Sequence, residues 1–334
     1  MTQLRFDGQV AIVTGAGGGL GRHHALLLAS RGAHVVVNDI GGSVTGDGAD
    51  AGPAEAVAQE IRELGGEAVA DSHSVATAVD GEGIVKTALA AYGRIDILVN
   101  NAGILRDTPL PDMTPAMLDA VIDVHLKGAF HVTRPAWQVM RTQGYGRIVN
   151  TTSAAGILGT PRKSNYGAAK GGIVGLTRVL ALEGAADNIK VNAIAPIAAT
   201  RMLTHSMRPP RDSGADDASA AEDAGSRMSP AAQAMMDAVT SKLDPALVSP
   251  VVAFLAHRDC PVSGEIFTAG AGQVARFFTG RTAGYYAPAL SAEDVRDHLA
   301  EIRDEAGYTV PTDPGEEIAQ LLRVVAARPP LGAL

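Results

Sequence analysis

A single cysteine, Cys260, stands among 334 residues. One thiol per chain excludes an internal disulfide framework and fits a reducing compartment. Positive charge is sparse and scattered: 28 Lys and Arg face 36 Asp and Glu, a formal net charge of −8. Nucleic-acid phosphates are held by clustered cations, so a nucleic-acid partner is not expected. No apolar run approaches the ~18 residues that read as a membrane span, so no membrane partner is expected either. The first residues carry Arg5 and Asp7 ahead of a short apolar run. That is not a secretory signal, and a cytoplasmic location is the expectation. A metal-ligand set is also missing. His23 and His24 have no acid or cysteine at ligand spacing and read as solvent or phosphate-side contacts. What the chain does have is apolar material, 46% of residues against 19% charged. That is enough for a large core and argues against global disorder.

Short β-branched runs alternate with helix-period segments. Strands are predicted over 9–13, 34–38, 68–71, 95–100, 147–151 and 190–194. Helices are predicted over 20–31, 53–64, 81–92, 115–124, 129–143 and 166–185. Such alternation predicts a parallel sheet with helices on both faces. The continuous apolar runs Val35-Val36-Val37 and Ile97-Leu98-Val99 suit strands buried on both sides. Three segments break the rhythm. Residues 40–52, rich in Gly and Asp, read as a surface loop. Residues 208–229, dominated by Ala, Asp, Ser, Gly and Pro, read as an insertion of loose composition or, from their place after the sixth strand, as part of a lid over a substrate. The tail from Arg281 carries a predicted helix over 291–305, opened by Ser291 with Asp294 three residues on, and a second over 314–328.

The run Thr14-Gly15-Ala16-Gly17-Gly18-Gly19-Leu20-Gly21 follows the first strand and opens the first helix. Glycines there let the backbone turn tightly and approach a pyrophosphate, and the helix start adds free N–H groups and a positive dipole end. Asp39 closes the second strand 24 residues beyond Gly15, near the spacing of about 20 for a ribose-binding acid. Its carboxylate suits the adenosine ribose hydroxyls and repels a 2′-phosphate. No arginine follows until Arg62, so nothing nearby in sequence neutralises that phosphate. The expectation is NAD rather than NADP.

Tyr166 and Lys170 lie four apart, on one face of a helix. A free tyrosine ionises near pH ~10, and a neighbouring ammonium stabilises the phenolate. Ser153 stands thirteen residues before Tyr166, at a strand end, where its hydroxyl can polarise a carbonyl or alcohol. The force lies in the ordered set of glycine turn, Asp39, Asn100-Asn101-Ala102-Gly103, Ser153, Tyr166 and Lys170.

On these motifs the chain resembles the short-chain dehydrogenase/reductase family over about residues 5–270. The resemblance implies a Rossmann-type, doubly wound, seven-stranded parallel sheet in residues 1–280, with its seventh strand at 265–269, a lid region at about 197–243, and a C-terminal helical extension over 281–334. It implies that Ser153 holds the substrate oxygen, Tyr166 donates or accepts the proton, and Lys170 binds the nicotinamide ribose. Gly15, Gly19, Leu20, Gly21 and Asp39 would hold the cofactor. Val75, Asn101, Ala102 and Gly103 would line its adenosine side, with Pro196 and Thr200 completing the site. The less generic segments Val37-Asn38-Asp39-Ile40-Gly41-Gly42, Ile104-Leu105-Arg106-Asp107, Val124-His125-Leu126-Lys127-Gly128 and Thr133-Arg134-Pro135-Ala136-Trp137 are similar to the (3R)-hydroxyacyl-CoA dehydrogenase units of peroxisomal type 2 multifunctional enzymes. No hydratase part accompanies them, which implies a stand-alone dehydrogenase.

The chain also departs from the family pattern. His125 replaces an Asn that orders a proton-relay water; the resembled subfamily carries His there, so His125 reads as a relay participant or, more plainly, as a helix histidine satisfied by backbone. Ile197 replaces a glycine after Pro196. His73 stands where an adenine-contacting acid often sits, leaving Asp71 or Val75 for that contact. Trp137 reads as packing or oligomer interface, and Cys260 has no catalytic partner.

The resulting expectation is an NAD-dependent oxidoreductase that converts a (3R)-hydroxyacyl-CoA to the 3-oxoacyl-CoA in fatty-acid or sterol side-chain β-oxidation. The alternatives are a dehydrogenase of steroids or other bulky alcohols without CoA, and a non-catalytic NAD-binding sensor. The resemblance further implies a homodimer or homotetramer, with the tail, through Val295, Leu299 and Ile302, packed near or across the interface.

Overall fold

The computed structural model describes residues 3–206 and 241–327. The loose insertion at 208–229 and most of the expected lid region lie outside the described residues. Two units divide the chain, Met1–Arg276 and Phe277–Leu334.

The first unit is built on one sheet. Its strands are β1 (Val10–Thr14), β2 (His34–Asn38), β3 (Glu67–Asp71), β4 (Ile97–Asn100), β5 (Gly146–Thr151), β6 (Ile189–Pro196), β7 (Ile266–Gly270) and β8 (Gln273–Phe277), in the order β3-β2-β1-β4-β5-β6-β7-β8. The pairs from β3 through β7 are parallel, with registers such as Ile12↔Val36, Leu98↔Ile148 and Asn150↔Ala193. The order reverses at β1, which lies between β2 and β4. Outside the carboxyl ends of the strands at such a reversal the connecting loops diverge and leave a crevice.

An eighth strand is a departure from the seven expected. After β7 the chain turns through Ala271 and Gly272 at φ 49° and 79°. Two successive left-handed residues make the tightest hairpin loop, and so short a loop can only join antiparallel strands. An Ala-Gly pair lacks the Asn or Asp that ordinarily advertises this turn.

The helices of this unit are α1 (Gly19–Ser30), α2 (Gly52–Glu63), α3 (Ala78–Tyr92), α4 (Pro115–Ile122), α5 (Gly128–Gln143), α6 (Ala154–Ile157), α7 (Ser164–Glu183), α8 (Arg201–Ser206) and α9 (Ser249–Ala256). Because side chains alternate along a strand, each strand feeds two cores. Ala11, Val13, Val35 and Val37 pack with Leu28 of α1, Val57 and Ile61 of α2 and Val252 of α9. Val10, Ile12, Val36 and Leu98 pack with Ile84 of α3 and Val132 and Met140 of α5. Trp137 joins that second core, and Cys260 is buried.

In the second unit, Arg281 and Thr309 form an antiparallel bridge, Phe278 stacks on Tyr308 at 5.6 Å and Tyr285 on His298 at 3.8 Å. Ser291 and Asp294 form a reciprocal capping box, as their spacing predicts. The single helix expected over 291–305 is instead two short ones, α10 (Ala292–Asp297) and α11 (Leu299–Ile302). The break falls at His298, whose backbone sits at φ −103° and ψ 15° while its ring lies flat on Tyr285. α12 (Pro314–Ala326) follows, capped by Asp313, with Ile318, Leu321, Leu322 and Val325 exposed.

His24 corrects another expectation. It faces neither solvent nor phosphate; it is 1% exposed, with Nδ1 2.8 Å from Ser249 Oγ of α9. Burial, with a smaller push from His23, lowers its pKa to about 3. In the unfolded chain the ring titrates near ~6.5. Below that pH the unfolded state binds a proton that the folded state refuses, so this contribution is complete above about pH 6.5 and is lost as the pH falls toward 3. Between about pH 6.5 and 5, urea unfolding should show the wild type losing about 2 kcal/mol more than His24→Gln loses. Equal losses in both would place the ionisation elsewhere.

Candidate active site

The crevice at the sheet's reversal is a cleft of about 610 Å3. Its floor is the glycine turn. Gly15 and Gly19 hold φ of +64° and +51°, where an L side chain is strained. A Cβ on Gly15 would stand 2.8 Å from Ala102 Cα. Gly21 does not line the cleft; a Cβ there would meet Gly15 O at 2.2 Å, so its part is to let α1 close onto the turn. Asn101 braces the turn from the next loop, its Nδ2 donating to Thr14 O and Gly15 O at 3.0 and 3.1 Å. The backbone N–H groups of Asn101 and Ala102 both donate to Thr14 Oγ1. Leu20, Asn101, Ala102, Gly103, Val75, Pro196 and Thr200 line the same cleft.

Asp39 reaches the cleft with its carboxylate already anchored. Gly17 N donates to Oδ2 at 2.8 Å and Gly41 N to Oδ1 at 2.7 Å, leaving lone pairs on both oxygens for further donors. Behind it, Asp71 is buried and turned away, accepting from Asn38 Nδ2 and Thr87 Oγ1 and pairing with His73. Of the adenine-side candidates, His73 and Val75 line the cleft and Asp71 does not. The loop after β2 forms one wall: Leu105 N donates to Val44 O at 2.9 Å, and Arg106 Nε to Thr45 O at 3.0 Å.

Ser153, Tyr166 and Lys170 converge in this cleft. A buried polar chain sets α7 against the sheet. Asn100 Nδ2 donates to Asn150 Oδ1, Asn150 Nδ2 to Thr177 Oγ1, and Thr152 Oγ1 to Lys170 O. Lys170 Nζ donates to Thr151 O. Asn165 Nδ2 ties the start of α7 to Arg106 O at 3.0 Å. His125 stands in a π-helical turn over Asp123–Lys127. Its ring lies edge-on to Tyr166, centroids 5.1 Å apart, and its Nε2 sits 3.0 Å from Ile104 N and 2.7 Å from Ile104 O.

Burial governs the charges. It lowers the Lys170 pKa to about 7. It pushes the Tyr166 phenol up, against a hydrogen bond with Ser153 that pulls it down, while the Asp107 charge raises it further. Burial also holds His125 well below its ordinary value, helped by the Lys170 charge, so its imidazole is neutral. Two buried polar atoms, His125 Nδ1 and Thr151 Oγ1, have no protein partner. Both residues, with Lys170, line a second cavity of about 10 Å3, the size of one water.

A short-chain dehydrogenase family model matches residues 9–211. The chain belongs to the short-chain dehydrogenase family. It is 41% identical over 326 residues to peroxisomal multifunctional enzyme A of Dictyostelium discoideum, covering 98% of this chain and 67% of that one. It is 46% identical over 270 residues to peroxisomal multifunctional enzyme type 2 of Drosophila melanogaster, covering 81% of this chain and 40% of that one. A short-chain type dehydrogenase/reductase of Mycobacterium tuberculosis is 45% identical over 303 residues, 90% of this chain and 96% of its own. The full-length Drosophila type 2 enzyme superposes with a TM-score of 0.75 at 36% identity, over 97% of this chain and 50% of that one. As a short-chain dehydrogenase it is an oxidoreductase of CH–OH groups, and the glycine turn, with no room for a Cβ at Gly15, Gly17 or Gly21, fits the nicotinamide dinucleotide such enzymes use. No described helix is long and apolar enough to cross a membrane.

Three residues escaped the sequence reading of this short-chain dehydrogenase. Arg201, the first residue of α8, lines the cleft and would stand, through Nη2, 3.4 Å from a Cβ on Gly18. A cation therefore reaches the glycine turn from far along the chain, whereas Arg62 is engaged with Glu55 and Ala68 O. Lys163 and Asp107 pair, with Lys163 Nζ 5.4 Å from the Tyr166 ring centroid. Gly103 has a reason beyond backbone freedom: a Cβ there would lie 2.3 Å from His125 Cε1. Gly103→Ala is expected to destabilise the fold by about 1–3 kcal/mol through overpacking, read by urea unfolding. An unchanged midpoint would mean that the imidazole is not held there.

Proposed function

We propose that the chain is an NAD-dependent dehydrogenase oxidising a (3R)-hydroxyacyl-CoA to the 3-oxoacyl-CoA, in fatty-acid or sterol side-chain β-oxidation. The observation that carries the chemistry is the convergence of Ser153, Tyr166 and Lys170 beside the glycine turn. Similarity to peroxisomal multifunctional enzymes over nearly the whole chain supports the acyl-CoA class. Asp39, with lone pairs left on both anchored oxygens, supports NAD: it can accept from ribose hydroxyls and repels a 2′-phosphate.

A bound nicotinamide supplies the hydride acceptor. Tyr166, as the phenolate, takes the hydroxyl proton of the substrate, and Ser153 orients the reacting oxygen. Lys170 stabilises the phenolate by charge and holds the ribose. Both partners are desolvated, so the ionised pair Tyr166–Lys170 is favoured over either charge alone. The neutral His125 lines the small cavity beside Lys170, and its unpartnered Nδ1 would accept a hydrogen bond from a water held there. Arg201 is placed to favour the pyrophosphate.

The reading is tested by steady-state oxidation of (3R)- and (3S)-hydroxyacyl-CoA thioesters and free steroid alcohols with NAD+ and NADP+. It expects turnover of the (3R)-thioesters with NAD+. Turnover confined to steroids, or none with any alcohol, would overturn it. Tyr166→Phe should lower that turnover by roughly 10²-fold or more while NADH binding persists; a variant retaining a tenth of the rate contradicts the assignment. Asp39→Ala should narrow the preference for NAD+ over NADP+, and a wild type using both equally well would refute the role given to Asp39.

A further inference from the structure

Two ammonium groups, not one, flank the ring of Tyr166. Lys170 Nζ lies 5.7 Å from the ring centroid and Lys163 Nζ 5.4 Å. Lys163 immediately precedes α7, lines the cleft, and pairs with Asp107 Oδ2 at 3.2 Å, each side chain only 16% exposed. The other carboxylate oxygen, Asp107 Oδ1, is buried without a hydrogen-bond partner. The two segments carrying the pair are laced together on both sides of it. Thr108 N donates to Arg162 O at 2.9 Å, and Asn165 Nδ2 to Arg106 O at 3.0 Å. The pair is thus fixed beside the phenol rather than swinging in solvent.

The charged and titratable groups around Tyr166 can be named element by element. Lys170 comes from α7 itself, and Lys163 from the residue before it. Asp107 comes from the segment after β4, and the neutral His125 from the π-helical turn. Arg106 and Asp123 also line the cleft, but each is matched, Arg106 by Asp47 at 3.3 Å and Asp123 by Lys127 at 2.7 Å. Asp39, His73 and Arg201 line the cleft at the glycine turn and the adenosine side, whereas the pair Lys163–Asp107 stands beside the ring of Tyr166 itself.

We propose that Lys163 and Asp107 are positioning residues that act through Tyr166: Lys163 is a second cation favouring the phenolate, Asp107 opposes it, and their balance sets the pH at which Tyr166 ionises. The inference rests on Tyr166 being the acid–base group, and its logic is electrostatic. Burial leaves Lys170 near pKa 7, so its own charge is incomplete at neutral pH. Burial raises the Tyr166 pKa, and the Asp107 charge raises it further. Lys163 cancels that charge at close range, and removing it would leave a partly desolvated carboxylate facing the phenol.

The test needs no substrate. Ultraviolet absorbance of tyrosinate is titrated for each protein and for its Tyr166→Phe counterpart, and the difference reports Tyr166 alone. Lys163→Met should raise the Tyr166 midpoint by about one pH unit, and Asp107→Asn should lower it. The double variant should fall between them, and Lys163→Arg, which keeps the cation, should restore the wild-type value. A loss of packing alone would move both single variants the same way and would not be rescued by arginine. An unchanged midpoint in Lys163→Met, or shifts of the same sign in both single variants, overturns the proposal. These titrations read out even if no thioester proves to be a substrate. Conversely, a Tyr166→Phe variant with full turnover would sink the functional reading without touching the measured midpoints.

Discussion

The site depends on keeping an ammonium and a phenol side by side out of water. Lys170 is 4% exposed and Tyr166 9%. A charge on either alone is disfavoured by burial, which drives lysine and tyrosine toward their neutral forms. The same low-dielectric surroundings strengthen the attraction when both are ionised. Much of the local architecture serves that arrangement. The amide chain Asn100–Asn150–Thr177 spans from β4 to β5 to α7, and Thr152 and Thr151 at the end of β5 bind the backbone carbonyl and the ammonium of Lys170. A parallel sheet that ends β1, β4 and β5 at one edge brings the glycine turn and Tyr166 to one crevice, although Gly15 and Tyr166 lie more than 150 positions apart.

The same edge carries two tightly constrained features. The loop after β2 folds back on Ile104 to Arg106, with Gly41 at φ +72° and its would-be Cβ 1.8 Å from Asp50 O. Only glycine fits so close a crossing. The π-helical turn between α4 and α5 inserts one residue's worth of slack, a device often found at functional sites. It seats His125 between Gly103 and Tyr166. Its imidazole is neutral, bound to the Ile104 backbone at Nε2 and without a protein partner at Nδ1.

The sheet, its helices and the cradle were legible because they rest on local periodicity and on residues that chemistry demands at fixed spacing. Val35-Val36-Val37, the glycine turn and the Tyr166–Lys170 interval are of that kind. The misses come from tertiary partners. His24 sits near the cradle in sequence, yet α1 turns it toward Ser249 on a helix more than 200 residues later. The close packing of Gly21 on Gly15, where a Cβ would meet Gly15 O at 2.2 Å, likewise shows only in three dimensions. Arg201 reaches Gly18 because the segment after β6 runs past the glycine turn, Thr200 Cγ2 standing 3.7 Å from a Cβ on Gly19. Lys163 stands just ahead of Tyr166 in sequence, but its pairing with Asp107, 56 residues earlier, is a tertiary contact. The helix expected over 291–305 breaks at His298, where the ring stacks on Tyr285, a contact that helical periodicity does not reveal.

The central claim is that a buried ammonium at Lys170 makes the Tyr166 phenolate available near neutral pH. The pH profile of kcat/KM for alcohol oxidation, in the wild type and in Lys170→Met, tests it most directly. The account predicts a single rising limb for the wild type, belonging to the coupled Tyr166–Lys170 pair. In Lys170→Met that limb should move to higher pH by more than about one unit, with a rate at neutral pH lower by roughly 10²-fold or more. A limb that stays in place when the ammonium is removed would contradict the account.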